Sequence, residues 1–345
     1  MERTLTIATL VLTLSAALAA AAARPAAPSR PGGDRPGGDR PGGDRPGGGR
    51  PGAGSRAAAV SLSPGDHDEA FTHGGTERKY ILHVPEGADK RKPLPLVFVL
   101  HGFGGAAQGM VASTDMNDKA DREGFFVAYL NGTPCVTGGE PVCHGQWGWN
   151  GGLSPGLQIT VDDVGYVRDL AKDLGRRLPV DMRRVYAAGF SNGAMMCHRL
   201  AAELPDLLAG VVMVEGTIGV KQDDGTYLMT PTPAGAIPVA IVHGKHDSNI
   251  PYEGGQGTGA GKMFVKSVDD AVLFWTKANH CNDASKKEDT TDPDVVVTSF
   301  HGCTANSDVA LFTVVKGVHQ WPTESAVGFS ATDALWAFFS KHTRS

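Results

Sequence analysis

Seven short apolar runs, separated by helical patterns, constrain this chain more than any other feature of its sequence. The runs are Lys79–Val84, Leu94–Leu100, Phe125–Leu130, Arg184–Ala188, Gly210–Val214, Val239–Val242 and Val309–Val315. Several are continuous rather than alternating, as strands covered on both faces must be. Helical patterns lie between or beyond them at Val164–Leu178, Asn192–Leu204, Val268–Ala278 and Ala331–Phe339. In the first, Val164, Val167, Leu170, Ala171, Leu174 and Leu178 share one face. Strands alternating with helices predict an α/β fold with a mostly parallel central sheet and helices on both faces. Two Gly/Pro-rich connections, 131–156 and 218–238, are long for such a fold, and long loops there carry function.

The pattern begins only after about residue 58. Met1–Ala23 reads as a signal peptide: Arg3, an apolar run from Leu5 to Leu18, then an Ala-x-Ala cleavage option at 21–23. That run is short for a membrane span, so release is expected rather than an uncleaved anchor. Residues 24–58 hold Arg-Pro-Gly-Gly-Asp repeats with period five, not the period three of collagen. Lacking large apolar side chains, the segment is expected to be a disordered linker, a spacer before contact with an anionic wall is considered. It carries seven Arg against three Asp, so the net −5 of the whole chain leaves −9 on the last 287 residues. Such a balance argues against polyanion binding, so neither nucleic acid nor membrane is an expected partner, and a monomer is expected. Residues 59–345 are long enough for one domain with one sizeable core.

The chemistry centres on Gly189-Phe190-Ser191-Asn192-Gly193, between the strand at 184–188 and the helix starting near Asn192. This is the context of a nucleophile elbow, in which a tight turn lifts the Ser hydroxyl to a helix N-terminus. Without that context it would be a structural Gly-rich turn. A nucleophilic Ser needs a base and an orienting carboxylate, in the chain order Ser, acid, His. Asp247 follows the strand Val239–Val242 and is the expected acid; Asp269, Asp270 and Asp308 are weaker choices. His319, in a Gly/Pro-bounded loop after the last strand, is the expected base. His243 and His246 lie too near the acid, and their spacing is a poor metal signal at a strand end. His280, His301 and His342 read as surface residues. The loop His101-Gly102-Phe103-Gly104-Gly105 is expected to supply the Phe103 amide to an oxyanion hole, with the amide of Asn192 as the second donor. His101 itself reads as a buried structural residue. No metal or cofactor is called for.

Four motifs in order then carry a resemblance: His-Gly-x-Gly-Gly at 101–105, Gly-x-Ser-Asn-Gly-Ala with Met195-Met196, His-Gly-x-x-Asp at 243–247, and His-x-Trp-Pro at 319–322. From about Gly65 onward the chain resembles the secreted poly(3-hydroxybutyrate) depolymerase and feruloyl esterase family of α/β-hydrolases. The resemblance implies an α/β-hydrolase fold and serine carboxylesterase activity through Ser191, Asp247 and His319. It implies feruloyl esters of plant polysaccharide as first substrate, then 3-hydroxyalkanoate oligomers or polyester, then acetyl xylan. A secreted binding protein on the same scaffold is the alternative outside catalysis. Asp162 looks like the cap of the family's long helix.

Five cysteines follow export to an oxidising compartment, and the odd count leaves one free. Cys197, in an apolar helical run, is the natural odd one. Cys281–Cys303 fits the family's late disulfide, and a Cys135–Cys143 pair is expected beside it. Trp147, Trp149 and Trp321 are candidates for an acyl pocket, with packing under loops as the competing role. Asn131-Gly132-Thr133 matches a glycosylation sequon.

Overall fold

The sheet that the apolar runs predict is present and larger than they indicate. The computed structural model describes residues 63–89, 91–134, 136–137, 140–141, 147–152, 159–282 and 286–345. The expected signal peptide, the linker and the Cys135–Cys143 pair lie outside the described residues.

Ten strands form the main sheet: β1 (Gly65–His73), β2 (Thr76–Val84), β3 (Leu94–Leu100), β4 (Phe126–Leu130), β5 (Val180–Phe190), β6 (Gly210–Val214), β7 (Val239–Gly244), β8 (Lys287–Asp289), β9 (Val295–Phe300) and β10 (Val309–Val314). Their spatial order is β1-β2-β4-β3-β5-β6-β7-β10-β9-β8. The central six, β4-β3-β5-β6-β7-β10, are parallel, and antiparallel strands finish both edges. The edge strand β1 has no apolar run to announce it, because its residues alternate between half-buried and exposed.

Helices cover both faces, and the period-two geometry of the strands sends alternate side chains to each. Leu96, Phe98 and Leu100 of β3 join the core beneath α3 (Asp163–Arg177), α4 (Asn192–Glu203) and α5 (Val268–Ala278). Val97 and Val99 join the opposite core, under α1 (Ala107–Thr114), α2 (Met116–Glu123) and α7 (Ala331–Phe339); a short α6 (Glu324–Val327) precedes α7. This is the α/β fold expected. The helix starts have local causes. The Asp162 carboxylate accepts the Gly165 N–H at 2.8 Å and caps α3, and Ser267 with Asp270 forms a capping box on α5. Asp270 is thereby a capping residue.

The connection at 218–238 folds partly into a small sheet, in which Gly219–Lys221 pairs with Tyr227–Met229. Cys281 and Cys303 are bonded, and Cys197 is free and buried. His342 is a correction. It is buried beside α7, its ring 4.6 Å from Phe338 and its carbonyl accepting the Tyr186 hydroxyl at 2.6 Å, because the chain after α7 folds back onto β5. His280 is exposed and His301 half-exposed, its ring nitrogen 2.9 Å from Asp308. Asn131 is buried too, and its side-chain oxygen accepts the Ala107 N–H at 2.8 Å. Among the described residues no helix is long and apolar enough to cross a membrane.

Candidate active site

Ser191 stands between β5 and α4 with φ 54° and ψ −117°. A non-glycine residue at positive φ is uncommon and strained, and such strain is tolerated where the surroundings enforce it. Here the Ser191 N–H is held by the Val214 carbonyl at 2.9 Å, and its own carbonyl accepts the Met195 N–H at 3.0 Å. Gly193 permits the turn, because any Cβ there would collide with the Leu100 and His101 carbonyl oxygens at the end of β3.

Three loops at the carboxyl ends of the parallel strands converge on this serine. His319, after β10, places Nε2 2.9 Å from Ser191 Oγ. Its Nδ1 lies 2.7 Å from Asp247 Oδ2, on the loop after β7. That pairing assigns the proton to Nδ1 and leaves Nε2 to accept the serine hydroxyl. The two loops touch where Gly244 faces Gly317, and the His246 N–H donates to the Gly317 carbonyl at 2.9 Å. Asp247 is buried, and its Oδ1 accepts the N–H groups of Asn249 at 2.7 Å and Ile250 at 2.9 Å. Burial alone would raise its carboxyl. Hydrogen bonds from His243 and His319 outweigh burial and hold it well below the usual carboxylate range. Of the competing acids, Asp269 is exposed and Asp308 faces His301.

The structure therefore brings Ser191, His319 and Asp247 together, and it places Phe103 and Asn192 beside them. All but Asp247 line a cleft of about 170 Å3 walled by Phe103, Phe190, Met195, Ile250 and Met263. The Phe190 ring lies 5.0 Å from that of His319. The Asn192 side chain is engaged below the cleft: its oxygen accepts the Trp149 N–H at 2.7 Å and its amide donates to the Trp149 carbonyl at 3.2 Å. That loop is anchored in turn by Asp163, which accepts the Asn150 N–H at 2.8 Å and pairs with Arg78 at 2.8 Å.

The tryptophans are not brought into the cleft. Trp149 is fully buried, its indole N–H donating to the His101 carbonyl at 2.9 Å. Trp321 is buried against α7 and donates to Thr332 at 3.1 Å, because the chain turns away directly after His319. Trp147 is half-buried and lines a different cavity of about 490 Å3, together with Asp68, Lys79, Gln108 and Asn131. His101 is buried and neutral. Its Nδ1 donates to the Gly102 carbonyl at 2.7 Å and its Nε2 accepts the Gly132 N–H at 3.0 Å, while burial pushes the ring down to about 4.

One residue of the site, Glu215, has no place among the sequence expectations, and another, His243, is there only as a base set aside. Glu215, one residue past β6, and His243, in β7, are both fully buried beside Asp247. The available signal for Glu215 was a lone carboxylate closing an apolar strand next to the nucleophile strand.

The family model described as esterase PHB depolymerase matches residues 78–225. NocK of Nocardia uniformis subsp. tsuyamanensis, provisionally named an esterase, is 33% identical over 265 residues, covering 72% of this chain and 72% of that protein. A provisionally named feruloyl esterase C of Aspergillus terreus is 26% identical over 295 residues, covering 82% of this chain and 93% of that one. The solved acetyl xylan esterase from Aspergillus awamori superposes with a TM-score of 0.52 at 13% identity, over 79% of this chain and 99% of that chain, a likeness of fold. The sheet, the strained serine turn and these relatives lead to one conclusion: the chain belongs to the PHB depolymerase and feruloyl esterase family of α/β-hydrolases, and it is a carboxylic ester hydrolase.

Proposed function

We propose that the chain is a secreted serine esterase in which Ser191 is the nucleophile, His319 the general base and Asp247 the orienting acid. The observation that carries this reading is the continuous line of contacts from Ser191 Oγ to His319 Nε2, 2.9 Å, and from His319 Nδ1 to Asp247 Oδ2, 2.7 Å. Ser191 Oγ attacks the ester carbonyl as its proton passes to Nε2. Asp247 holds the imidazole tautomer and stabilises the cation. The oxyanion is received by the Phe103 and Asn192 amides, the latter opening α4, where the helix dipole also favours negative charge. The imidazolium returns its proton to the leaving alcohol, and water then releases the acyl group by the same route.

For substrate we favour hydroxycinnamoyl esters. A cleft of about 170 Å3 is smaller than the roughly 300–1,000 Å3 of sites that enclose a whole ligand, so it fits an acyl group whose alcohol stays outside. Its Phe and Met walls suit a flat aryl group, and A. terreus has a relative bearing the feruloyl esterase name. The description of the family model favours a second reading, hydroxybutyrate oligomers. Secretion rests on the leader-like residues 1–23 and on the Cys281–Cys303 bond, which suits an oxidising compartment. The test is kcat/KM of purified protein on methyl ferulate, hydroxybutyrate oligomers, acetylated xylan and p-nitrophenyl acetate. Methyl ferulate should exceed the oligomers; the reverse order would replace the first substrate reading with the second.

A further inference from the structure

The proposed triad accounts for one of two buried carboxylates at its acidic end. Glu215 is fully buried, and its oxygens accept the Gly244 N–H at 2.9 and 3.1 Å. Ligand atoms of Glu215, Asp247 and His319 all lie within 4.8 Å of one another. His243, also fully buried, donates from Nε2 to the Ile250 carbonyl at 2.9 Å and sits 3.4 Å from both Glu215 Oε2 and Asp247 Oδ2. The backbone at Glu215 is strained as well, with φ 54°, and its N–H is tied to the Val242 carbonyl at 2.9 Å. Ser191 and Glu215 thus follow adjacent parallel strands with the same positive φ. A fully buried carboxyl on strained backbone is costly unless the site uses it.

We propose that Glu215 is a positioning residue for Asp247: its carboxyl group donates a hydrogen bond to the Asp247 carboxylate and, with His243, holds Oδ2 toward His319. This rests on the triad reading above. The charge pattern follows from the surroundings. Two carboxylates in one buried nook do not both ionise. Asp247 takes the charge, because it has His319 and two backbone donors, whereas the backbone gives Glu215 only the Gly244 N–H. Burial pushes the Glu215 carboxyl well above the usual carboxylate range, and its hydrogen bond to Asp247 and that residue's charge push the same way, against the Gly244 N–H. The ionisable groups that face this nook are His243 from β7, Asp247 from the loop after it and His319 from the loop after β10. His198 of α4 stands behind His243 and is itself pushed down to about 3, first by burial and then by the neighbouring imidazole. Glu215 therefore keeps its proton and acts as a donor. Ionised, it would repel Asp247 and spoil the alignment.

The test uses Glu215→Ala, Glu215→Gln and the double variant Glu215→Ala with Asp247→Asn, in the full chain with p-nitrophenyl acetate. Glu215→Ala should lower kcat about tenfold or more with little change in KM, because Asp247 is no longer held on one side. Glu215→Gln keeps a neutral donor of the same length and should recover most of that loss. It should also leave the acidic limb of kcat/KM in place, since no charge is removed. An ionised Glu215 under 5 Å from the imidazole would instead make Glu215→Gln shift that limb down by about one unit or more. In the Asp247→Asn background Glu215→Ala should cost little further, as expected of a residue that acts through Asp247. A shifted limb in Glu215→Gln, a wild-type kcat in Glu215→Ala, or a full multiplicative loss in the double variant would each overturn the proposal. If Glu215→Ala does not fold, the Glu215→Gln profile decides alone. Failure of the triad reading shows separately, as hydrolysis that persists in Ser191→Ala.

Discussion

Replacing Asp247 by Asn tests the site most sharply, because the structure dictates which way the new amide faces. Asp247 Oδ1 accepts two backbone N–H groups, from Asn249 and Ile250, at 2.7 and 2.9 Å. In the variant only the amide oxygen can fill that place; the reverse orientation would bury two unpaired donors against an NH2 group, at about 1–3 kcal/mol for each unsatisfied group. The NH2 group must then take the Oδ2 position, 2.7 Å from His319 Nδ1. There it donates to Nδ1 and forces the imidazole proton onto Nε2, the atom that should accept the proton of Ser191. The chain should fold as before and lose about 10⁴ in kcat, as carboxylate-to-amide changes do in such triads. That is about 5 kcal/mol of transition-state stabilisation. The assay is kcat on p-nitrophenyl acetate with a parallel thermal melt. Turnover within about tenfold of wild type in a folded Asp247→Asn protein would refute the reasoning and pass the acid's role to Glu215, the other carboxylate within 4.8 Å of His319.

Four further outcomes are expected. Ser191→Ala should lose about 10⁴–10⁶ in kcat, and a fluorophosphonate probe should label Ser191 in the wild type; labelling of another serine would remove its assignment. Gly193→Ala drives a methyl group into the Leu100 and His101 carbonyls; it should cost about 1–3 kcal/mol in stability and about tenfold or more in kcat, read by melts and kinetics, and unchanged values would mean that the turn has slack. Replacing Cys281 and Cys303 together by Ala releases a constraint across 22 residues and should lower stability in urea by about 3 kcal/mol on the chain-entropy account, with an unmoved midpoint as the contrary result. Trp149→Phe removes an indole N–H from the His101 carbonyl; it should lower the melting temperature while leaving the ratio of methyl ferulate to p-nitrophenyl acetate hydrolysis unchanged, whereas a changed ratio would put Trp149 back at the substrate.

Local pattern made much of this site legible in advance. The helix expected at Val268–Ala278 runs over those same residues, and that expected at Asn192–Leu204 ends one residue earlier. A helix repeats an apolar face within a few residues, and its caps are neighbours in sequence. Ser191, Asp247 and His319 were readable because each sits in a short motif just beyond a β-strand, and parallel strands carry all three to the carboxyl end of the sheet. The strands β1, β8 and β9 were not readable: the edge strand β1 alternates between half-buried and exposed residues, the opposite edge strand β8 is exposed throughout, and β9 beside it buries only two of its six residues.

What the sequence determined by itself is the class of fold and the place of the strained serine turn, because both follow from hydrophobic period and from glycines adjacent in the chain. What only the tertiary structure decided is the company each side chain keeps. His319 meets Asp247 across 72 residues and Ser191 across 128. Trp149 and Trp321 turn into the core, and Glu215 closes an apolar strand to face Asp247. A tryptophan in a loop and a glutamate after a strand have no burial of their own. Burial and hydrogen-bond partners belong to the packing of distant segments, and with them go the charge of each carboxylate and the shape of the cleft.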